Sequence, residues 1–453
     1  MNILVFGLGL NEGGVGSARF FAKKGYNIRV TDLKSADILK PSLDQLNDFP
    51  DIEYTLEEHK FEDLDWADLV IKNPAVKPGN KYIEYAIKNG KRVETDMGIF
   101  FNYVKPSQII GVTGTKGKST TATLIHEVLK HQGVNSAHIQ GVSGRHTGKN
   151  DIILAGNIGK SVLDIVEHIK PETLVVLEIS SFQLEAFNEV KVSPKWAVIT
   201  NIYPDHLNYY KTMDEYIIAK KIVAKYQKGT DFLFIRKADR VVDNPDFLKD
   251  IKSQVIRFSL DDLPSDFQPA LQGKHNLENI AAAFEVSKVF EIPEEEALKT
   301  LSNFKGVEFR MQLIKEYDGI KIYNDSAATS PEAAIAAMKT LPGSIVITGG
   351  MNKNMDYEDY AKVLGESAKE VFFLEGDVTG PILLPLREVI KKGNLKTHGP
   401  YSNLEKLLGD AKKVAKSGDT ILFSPGATSF NLFQNEFDRG RKFNEALEKI
   451  FND

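Results

Sequence analysis

Short apolar runs rich in Val, Ile and Phe alternate with helical patterns along almost the whole of this 453-residue chain. Strands that are separated by helices pair in parallel, and the helices cover the faces of the resulting sheet. The alternation therefore predicts the α/β class. A chain of this length also exceeds the roughly 250 to 300 residues at which a single core usually stops growing, so several domains are expected.

The composition excludes several classes of function. A net charge of −5, with both signs mixed along the chain, gives no basic field for nucleic acid or an anionic membrane. The absence of Cys excludes disulfides, thiolate catalysis and Cys-based zinc sites. No apolar run approaches the roughly 20 residues that cross a bilayer, and no cationic segment precedes the first one. We expect a cytoplasmic monomer that binds neither nucleic acid nor membrane.

The strongest chemical signal is a Gly-rich segment at 111–120, between a predicted strand at 108–113 and a predicted helix at 119–131. Its glycines let backbone amides approach phosphate oxygens, Lys118 offers a mobile positive charge, and the Ser119 hydroxyl can bind Mg²⁺. The first Gly is Gly111, where the strict phosphate-loop pattern would need it at Val112. A purely structural turn is the alternative to a triphosphate site. The predicted nucleotide-binding residues are Thr113, Gly114, Thr115, Lys116, Gly117, Lys118, Ser119 and Thr120.

Two further residues follow predicted strands of the same region. Glu178 ends an apolar strand, and a carboxylate at that position beside a phosphate loop can hold Mg²⁺. Without the loop, it could equally be a capping or solvated acid. His206 follows the next strand, but a lone His is more often structural than catalytic. Its role depends on whether the fold brings it to the metal.

The N-terminal loop Gly7-x-Gly9-x-x-x-Gly13 is a near miss to the dinucleotide fingerprint, because Glu12 stands where its third Gly should be. Asp32, at the end of the next strand, completes the pattern of a ribose-binding unit. A structural turn and a ligand site both remain open. A Rossmann-type NAD-dependent oxidoreductase is one alternative function that this loop suggests.

The chain divides into three predicted domains. These are a Rossmann-like domain over 1–97, a central P-loop-type ATPase domain with a mainly parallel sheet over 98–306, and a C-terminal Rossmann-like α/β domain over 307–453. The patterns predict a helix over 17–24 in the first domain, and in the third a helix that begins at Pro331 after an N-cap Ser330 and strands over 370–374 and 420–423.

Seven segments spread over all three blocks resemble the Mur ligases in order and spacing. They are the phosphate loop, residues 178–185, Asp205-His206, Tyr216-x-x-Ala-Lys220, Gly273-x-His-Asn-x-x-Asn279, Asn324-Asp-Ser326 and Ser424-Pro425. The resemblance implies a ligase that activates a carboxylate with ATP as an acyl phosphate and then joins it to an amino acid. The chain is most similar to members that add D-glutamate to UDP-N-acetylmuramoyl-L-alanine in peptidoglycan precursor synthesis, at Ala155-Gly-Asn-Ile-Gly159, residues 178–185, Ser424-Pro-x-x-x-Ser429 and Arg439-Gly440.

The resemblance also implies roles for individual residues. Lys118 and Arg310 would contact the ATP phosphates, and Lys220 matches a lysine that reacts with CO₂ to give a metal-binding carbamate. From its own helix, which also carries Lys221 and Lys225, Lys220 would instead be interpreted as solvated. The implied catalytic residues are Lys118, Glu178, His206, Lys220 and Arg310. The implied metal ligands are Ser119, Glu178, His206 and Lys220. Asn279 and Asp325 would hold adenine and ribose, Gly9, Asp32, Asn73 and Asn157 the UDP-sugar, and Thr329, Lys353 and Ser429 the amino acid.

The sequence departs from the family pattern at the acceptor end. Ala327 replaces a lysine, Met351 replaces a carboxylate, and Phe309 stands where a His usually precedes Arg310. Loss of the lysine and the carboxylate together would avoid leaving one uncompensated charge. D-Glutamate is the leading acceptor. Another acceptor amino acid, a folylpolyglutamate synthase-like enzyme and a non-catalytic nucleotide-binding subunit are the alternatives.

Overall fold

The computed structural model describes all residues except 11, 133, 136–145, 148–150, 159–160, 206–208, 272, 353–354, 392–394, 430–431, 434 and 453. The chain forms two compact units, Met1–Phe304 and Lys305–Asp453. Two large parallel sheets lie in the first unit and a third, mainly parallel sheet lies in the second, which confirms the α/β class. The predicted boundary at 97 falls inside the first unit, and both predicted boundaries remain predictions. Among the described residues, no helix is long and apolar enough to span a bilayer.

The first sheet is built from the N-terminal residues. Its elements are β1 (Asn2–Phe6), α1 (Glu12–Lys23), β2 (Asn27–Asp32), α2 (Ala36–Leu43), β3 (Glu53–Leu56), α3 (Phe61–Trp66), β4 (Leu69–Lys72), α4 (Lys81–Lys88), β5 (Arg92–Glu94) and α5 (Asp96–Phe100). The strand order is β3-β2-β1-β4-β5, and all pairs are parallel. The strand order reverses between β1 and β4, because β2 and β3 lie on one side of β1 and β4 and β5 lie on the other. Open α/β sheets bind ligands at such a reversal.

The central sheet follows. Its elements are β6 (Ile109–Thr113), α6 (Lys118–Gln132), β7 (Val134–Asn135), β8 (His146–Thr147), β9 (Ile152–Gly156), β10 (Leu174–Glu178), α7 (Ser181–Glu189), β11 (Trp196–Ile199), α8 (Met213–Lys225), β12 (Phe232–Arg236), α9 (Pro245–Leu248), β13 (Gln254–Phe258), α10 (Lys274–Val289) and α11 (Glu294–Ser302). The order is β13-β12-β11-β6-β10-β9, with every pair parallel, whereas β7 and β8 form a separate antiparallel pair. In this order β6 lies between β11 and β10, so the loop after it opens near the middle of the sheet. All five residues of β6 are buried.

The first two sheets share one hydrophobic core, to which Val5 of β1 and Leu177 of β10 both contribute. An ion pair also connects the first sheet's region to the central sheet's region. The Arg19 guanidinium on α1 lies 2.7 Å from the Asp164 carboxylate. Asp164 belongs to one of the short 3-10 helices of the described residues, which span Asp44–Leu46, Pro106–Gln108, Val162–His168 and Leu260–Asp262. This shared core explains why the predicted boundary at 97 does not separate two compact units.

The second unit contains the third sheet. Its elements are β14 (Gln312–Tyr317), β15 (Ile320–Asn324), α12 (Pro331–Thr340), β16 (Ile345–Thr348), α13 (Glu358–Ser367), β17 (Glu370–Leu374), α14 (Thr379–Lys391), β18 (Lys396–Tyr401), α15 (Leu404–Val414), β19 (Thr420–Phe423) and α16 (Glu436–Ile450). The order is β14-β15-β19-β16-β17-β18, and only β14 is antiparallel to its neighbour. Helix α12 begins at Pro331 as predicted, with the Ser330 side chain as its N-cap.

Candidate active site

The Gly-rich loop between β6 and α6 is held by the residues that follow the neighbouring strand β11. The Thr115 amide donates to the Asn201 carbonyl oxygen at 2.9 Å, and the Lys116 amide donates to the Asn201 side-chain oxygen at 2.9 Å. The Thr200 hydroxyl donates to the Lys116 carbonyl oxygen at 2.6 Å. The loop is therefore fixed before any ligand binds, as a preorganised phosphate site requires.

Two glycines of this loop have no room for a side chain. Gly114 has φ +147°, and a Cβ atom there would lie 2.0 Å from the Thr200 hydroxyl. Gly117 has φ +82°, and its Cβ atom would lie 2.3 Å from the side-chain oxygen of Asn279. Asn279 is buried in α10 and accepts a hydrogen bond from the Thr121 hydroxyl at 3.2 Å. It thus packs against the loop and α6, and its predicted contact with adenine remains a prediction.

The first turn of α6 presents the residues predicted to meet a triphosphate. Lys118 is its first residue and its Nζ donates to the Thr115 carbonyl oxygen at 3.0 Å, so the ammonium folds back over the loop. Ser119 follows and is 6% exposed, and Thr120 is partly exposed. The free amides of a helix N-terminus and its positive dipole end favour bound anions. The predicted phosphate-binding residues therefore come together in one place.

Glu178 lies at the end of β10, next to β6, and is 1% exposed. Its Oε1 accepts from the Asn157 side-chain amide at 3.1 Å, while its Oε2 has no hydrogen-bond partner among the described residues. A buried carboxylate oxygen without a partner is destabilising, and a cation would satisfy it. Glu178 and Ser119 thus fit a Mg²⁺ ion. Within the described part of the chain, no cluster of three or more His, Asp or Glu residues forms a metal site by itself, and His206 lies outside that part.

Lys220 is buried at the base of the same loop, with only 2% of its surface exposed. Its Nζ donates to the Thr113 hydroxyl oxygen at 3.1 Å and to the Gly114 carbonyl oxygen at 3.0 Å. Burial, and then the positive charge of Lys118, lowers the pKa of Lys220 well below 10.5, against the fields of two nearby carboxylates. The interpretation of Lys220 as a solvated helix residue is wrong. The structure instead favours a neutral amine beside the phosphate loop.

Three residues predicted to meet the UDP end of a substrate converge at the carboxyl edge of the first sheet. The Gly9 amide donates to the Asp32 Oδ2 atom at 2.8 Å, and the Asn73 side-chain amide donates to the Gly7 carbonyl oxygen at 3.2 Å. Asn157 lies elsewhere, at the end of β9, where it orients Glu178. The structure therefore groups Gly9, Asp32 and Asn73 and puts Asn157 beside the candidate metal ligand.

In the second unit, Asp325 and Arg439 form a buried polar network. Asp325 accepts from the Ser424 hydroxyl at 2.7 Å and from the Met311 amide at 3.0 Å, and burial raises its pKa to about 7. Arg439 has no exposed surface and donates to the Ser326 hydroxyl, the Ser326 carbonyl and the Ala427 carbonyl at 3.0, 2.7 and 2.9 Å. Burial lowers the pKa of Arg439 to about 9. Arg439 thus joins the loops that follow β15 and β19.

Two of the predicted acceptor residues, Thr329 and Ser429, lie on these two loops. Ser429 is 1% exposed, and its hydroxyl has no partner among the described residues, whereas Thr329 is partly exposed. Lys353 lies outside the described residues. The amide of Ala327 donates to the Phe309 carbonyl oxygen at 2.8 Å, and the adjacent Arg310 is exposed.

Comparison with known proteins identifies the family. Three sequence profiles match in order: a Mur ligase MurD-like N-terminal domain over residues 1–95, the Mur ligase middle domain over 112–270, and the Mur ligase glutamate ligase domain over 309–426. The UDP-N-acetylmuramoylalanine-D-glutamate ligase of Roseiflexus sp. (strain RS-1) is 36% identical over 99% of this chain and 98% of its own length. The chain belongs to the Mur ligase family. This membership makes it an ATP-dependent, amide-bond-forming ligase and excludes the oxidoreductase alternative.

Other relatives agree with this assignment. The Treponema pallidum (strain Nichols) protein of the same name is 30% identical over 99% of this Mur ligase and 98% of its own length. Among solved structures, the UDP-N-acetylmuramate-alanine ligase MurC of Thermotoga maritima has a TM-score of 0.57 at 19% identity, covering 99% of both chains. The MurF ligase of the same organism, in complex with ADP, has a TM-score of 0.51 at 17% identity, covering 93% of this chain and 95% of its own. These structures show a common fold.

Several residues that shape this site carry no sequence signal of their own. Thr200 and Asn201 hold the phosphate loop, but they stand out only as polar residues at the end of a strand. In the sequence, Arg439 stands out only as part of a family motif, and its complete burial follows from tertiary packing.

Proposed function

We propose that this Mur ligase adds D-glutamate to UDP-N-acetylmuramoyl-L-alanine in peptidoglycan precursor synthesis. The observation that carries the proposal is the group formed by the phosphate loop, the buried amine of Lys220 and the Oε2 atom of Glu178, which has no hydrogen-bond partner in the part of the chain that the structure describes. The relatives named UDP-N-acetylmuramoylalanine-D-glutamate ligase match 99% of this chain, which supports the choice of substrates.

In the proposed reaction, a carboxylate oxygen of the L-alanyl group attacks the γ-phosphorus of ATP, and the bond to the bridging oxygen of ADP breaks. The Lys118 ammonium, with Arg310, offsets negative charge on the transferred phosphoryl group. The amine of D-glutamate then attacks the carbonyl carbon of the acyl phosphate. Phosphate leaves from the tetrahedral intermediate, the amine loses a proton, and the amide bond forms.

Mg²⁺ is assigned to Ser119 and Glu178, with His206, and when bound it would neutralise charge on the phosphate oxygens. Asn157 keeps the Glu178 carboxylate in one orientation through the hydrogen bond to Oε1. That bond leaves Oε2 directed to a different partner. The protein thus contributes a fixed, dehydrated oxygen to the metal site.

Lys220 is assigned the carbamate that the family resemblance implies. A neutral amine can attack CO₂, forming a nitrogen–carbon bond and releasing one proton, whereas an ammonium cannot. The lowered pKa of Lys220 supports this chemistry near neutral pH. The resulting anion would lie near the Lys118 ammonium, which would stabilise its negative charge, and it could serve as a ligand for Mg²⁺.

The remaining substrate contacts are proposals of the same kind. Adenosine is assigned to Asn279 and Asp325, the UDP-sugar to Gly9, Asp32, Asn73 and Asn157, and the amino acid to Thr329, Lys353 and Ser429. We also propose that the protein is a monomer and that it acts in the cytoplasm.

The test is ADP formation coupled to a spectroscopic readout, with UDP-N-acetylmuramoyl-L-alanine and a panel of D-Glu, L-Glu and other amino acids. We expect turnover that needs both the UDP-sugar and D-Glu. Because Ala327 and Met351 alter the acceptor end, a stronger response to another amino acid would replace D-Glu in this proposal. Turnover with folates would favour the folylpolyglutamate synthase-like alternative, and ATP binding without any amide product would favour a non-catalytic subunit.

Lys118→Ala tests the phosphate loop in the same assay. We expect ADP formation to fall by about 100-fold or more, because the substitution removes a positive charge that offsets negative charge on the transferred phosphoryl group. Lys130→Ala is the matched control, since Lys130 is an exposed residue near the other end of α6. Equal activity of the two variants would contradict the assignment.

A further inference from the structure

Arg310 lies in a tight turn, residues 307–311, whose backbone conformation is unusual for the residues that form it. The Arg310 amide donates to the Val307 carbonyl oxygen at 2.9 Å, and these two residues form an antiparallel bridge. Phe309 has φ +60° and Met311 has φ +47°, so both neighbours of Arg310 adopt a left-handed backbone conformation. Bulky residues rarely adopt this conformation, and it persists only where the surrounding structure fixes it. The exposed Arg310 thus belongs to a turn that its surroundings must hold in place.

Hydrogen bonds hold the backbone of the 307–311 turn against the loop that follows β15. The Phe309 carbonyl oxygen accepts from the Ala327 amide at 2.8 Å, and the Met311 amide donates to the Asp325 Oδ1 atom at 3.0 Å. The Phe309 amide also donates to the side-chain oxygen of Gln312, the first residue of β14, at 3.1 Å. The residues on both sides of Arg310 are therefore tied to the third sheet.

The Phe309 ring packs on helix α16 at Gly440, and the residue is 1% exposed. A Cβ atom at Gly440 would lie 2.3 Å from the Cδ1 atom of the ring and 2.6 Å from its Cγ atom. The ring also meets the Phe437 ring edge-on, with centroids 6.2 Å apart. The Asn324 side-chain amide donates to the Gly440 carbonyl oxygen at 3.0 Å, which ties the same point of α16 to β15. The ring therefore occupies a space that any residue other than glycine at position 440 would fill.

The packing of Phe309 serves the turn rather than the interior of the sheet. Neither of the two hydrophobic cores that the described residues of the second unit form includes Phe309. A phenyl ring has no polar atom, so it can neither hold a phosphate oxygen nor move a proton. Its effect on a reaction is therefore limited to the positions of the residues beside it.

We propose that Phe309 is a positioning residue for phosphoryl transfer, whose ring on Gly440 holds the turn that presents the Arg310 guanidinium. A charged donor stabilises a transition state only where it is held close to the developing charge, and a displacement of about 1 Å can lower a rate by about 100-fold. Without the ring, the left-handed residues beside Arg310 are free to relax and to carry the guanidinium away. The inference rests on the proposed contact of Arg310 with the ATP phosphates, and it adds a residue that acts through that arginine.

The test measures kcat for ADP formation by the full chain, with saturating ATP, UDP-N-acetylmuramoyl-L-alanine and whichever amino acid supports turnover. Phe309→Leu keeps an apolar side chain but removes the ring, whereas Gly440→Ala keeps the ring but puts a methyl group in its space. We expect each variant to lower kcat by roughly tenfold or more, with KM for the UDP substrate within about twofold of wild type.

Two matched controls lie in the same unit. Gly409→Ala also replaces a helical glycine, in α15, but no atom lies within 4 Å of its new Cβ. Phe451→Leu changes a fully buried phenylalanine that belongs to a hydrophobic core. Both controls should keep kcat within about twofold of wild type, and thermal unfolding shows that each variant is folded at the assay temperature.

A double-mutant cycle with Arg310→Ala separates a positioning role from a structural one. If Phe309 acts through Arg310, adding Phe309→Leu to Arg310→Ala should lower kcat by less than about twofold further, because the guanidinium is already absent. A ring that only maintains the structure would lower kcat by the same factor in both backgrounds.

Equal losses in the two backgrounds, or wild-type kcat in both Phe309→Leu and Gly440→Ala, would overturn this inference while the proposed ligase function stands. Wild-type kcat in Arg310→Ala would remove Arg310 from the phosphate contact, and the inference would fail with it. The proposed acceptor fails separately, if another amino acid supports turnover where D-Glu does not.

Discussion

The Nζ atom of Lys220 lies 3.0 Å from the carbonyl oxygen of Gly114, so a lysine side chain supports the phosphate loop from within the protein. Its second contact, to the Thr113 hydroxyl oxygen, is also an acceptor, because that hydroxyl donates to the Ile179 carbonyl oxygen at 2.7 Å. A neutral amine can make both bonds and keep its lone pair. The position thus combines a structural support with a nucleophile near the loop.

Replacing Lys220 with methionine should change how the stability of the first unit depends on pH in CO₂-free buffer. Because burial lowers the pKa of Lys220 in the folded chain, the unfolded chain binds a proton more readily below pH 10.5, which favours unfolding of the wild type as the pH falls. Relative to wild type, the variant should therefore gain about 1 kcal/mol or more of stability between pH 10.5 and pH 7, in addition to a pH-independent loss from the two missing hydrogen bonds. Urea unfolding at pH 7, 9 and 10.5 measures this change, with Lys221→Met as the control. A stability difference between variant and wild type that is independent of pH would contradict the lowered pKa of Lys220.

Glu178→Gln should separate stability from activity. The replacement removes a buried carboxylate whose Oε2 has no partner among the residues the structure describes, so the midpoint of thermal unfolding should be unchanged or shifted upwards. ADP formation should fall by about 100-fold or more, since an amide is a poor ligand for Mg²⁺. Glu189→Gln, on the partly exposed end of α7, is the control for the loss of a carboxylate. Near-normal turnover of Glu178→Gln would remove Glu178 from the metal site.

Much of the fold could be predicted from the sequence because parallel strands are short, apolar and separated by helices. The strands predicted at 370–374 and 420–423 have the bounds that the structure gives, Glu370–Leu374 and Thr420–Phe423. The helix predicted at 17–24 instead spans Glu12–Lys23, because the Gly-rich stretch that suggested a loop is itself helical. Gly16 is needed there, since its Cβ atom would lie 2.2 Å from the Ser161 side chain. That contact between distant segments is invisible in the local sequence.

The candidate site was predictable where one segment carries the chemistry, as in the phosphate loop. It was not predictable where tertiary packing decides the environment of a side chain. Lys220 shares α8 with Lys221 and Lys225, and only the placement of the helix shows which of the three is buried. Asn157 gave no sign that its side chain would hold Glu178. A sequence reports residue types and order, whereas burial and hydrogen bonding depend on the neighbours that the fold supplies.

Gly117→Ala should weaken nucleotide binding and destabilise the first unit by about 1 to 3 kcal/mol. The new Cβ atom would lie 2.3 Å from the Asn279 side-chain oxygen, and the alanine would have to adopt φ +82°. Gly25→Ala isolates the effect of the positive φ, because Gly25 has φ +75° but no atom within 4 Å of a new Cβ. Chemical unfolding and ADP titration of both variants test this. Equal losses would mean that backbone strain alone, and not the contact with Asn279, requires glycine in the loop.

Asp325→Asn should change how stability depends on pH. Burial raises the folded pKa of Asp325 to about 7 from an ordinary 3.8, so between these values the folded protein holds a proton that the unfolded chain has lost. Wild-type stability should therefore fall as the pH rises from about 4 to about 7, by roughly 1 to 4 kcal/mol, and level off above. Asn does not titrate and should remove this fall. Urea unfolding of the second unit between pH 4.5 and 8 measures it, with the exposed Asp318→Asn as the control. Parallel pH profiles for wild type and Asp325→Asn would contradict the raised pKa.

Ser429→Ala should leave the fold intact and weaken the use of the acceptor amino acid. The buried Ser429 hydroxyl has no partner among the described residues, so its removal should change the free energy of unfolding by at most about 1 kcal/mol, towards greater stability. If the hydroxyl binds the carboxylate of the amino acid, KM for D-Glu should rise by about tenfold, with KM for ATP unchanged. Ser424→Ala is the informative comparison, because that hydroxyl donates to Asp325 at 2.7 Å and its loss should destabilise the second unit. An unchanged KM for D-Glu in Ser429→Ala would show that the hydroxyl is an unsatisfied group of the core and that another residue holds the acceptor.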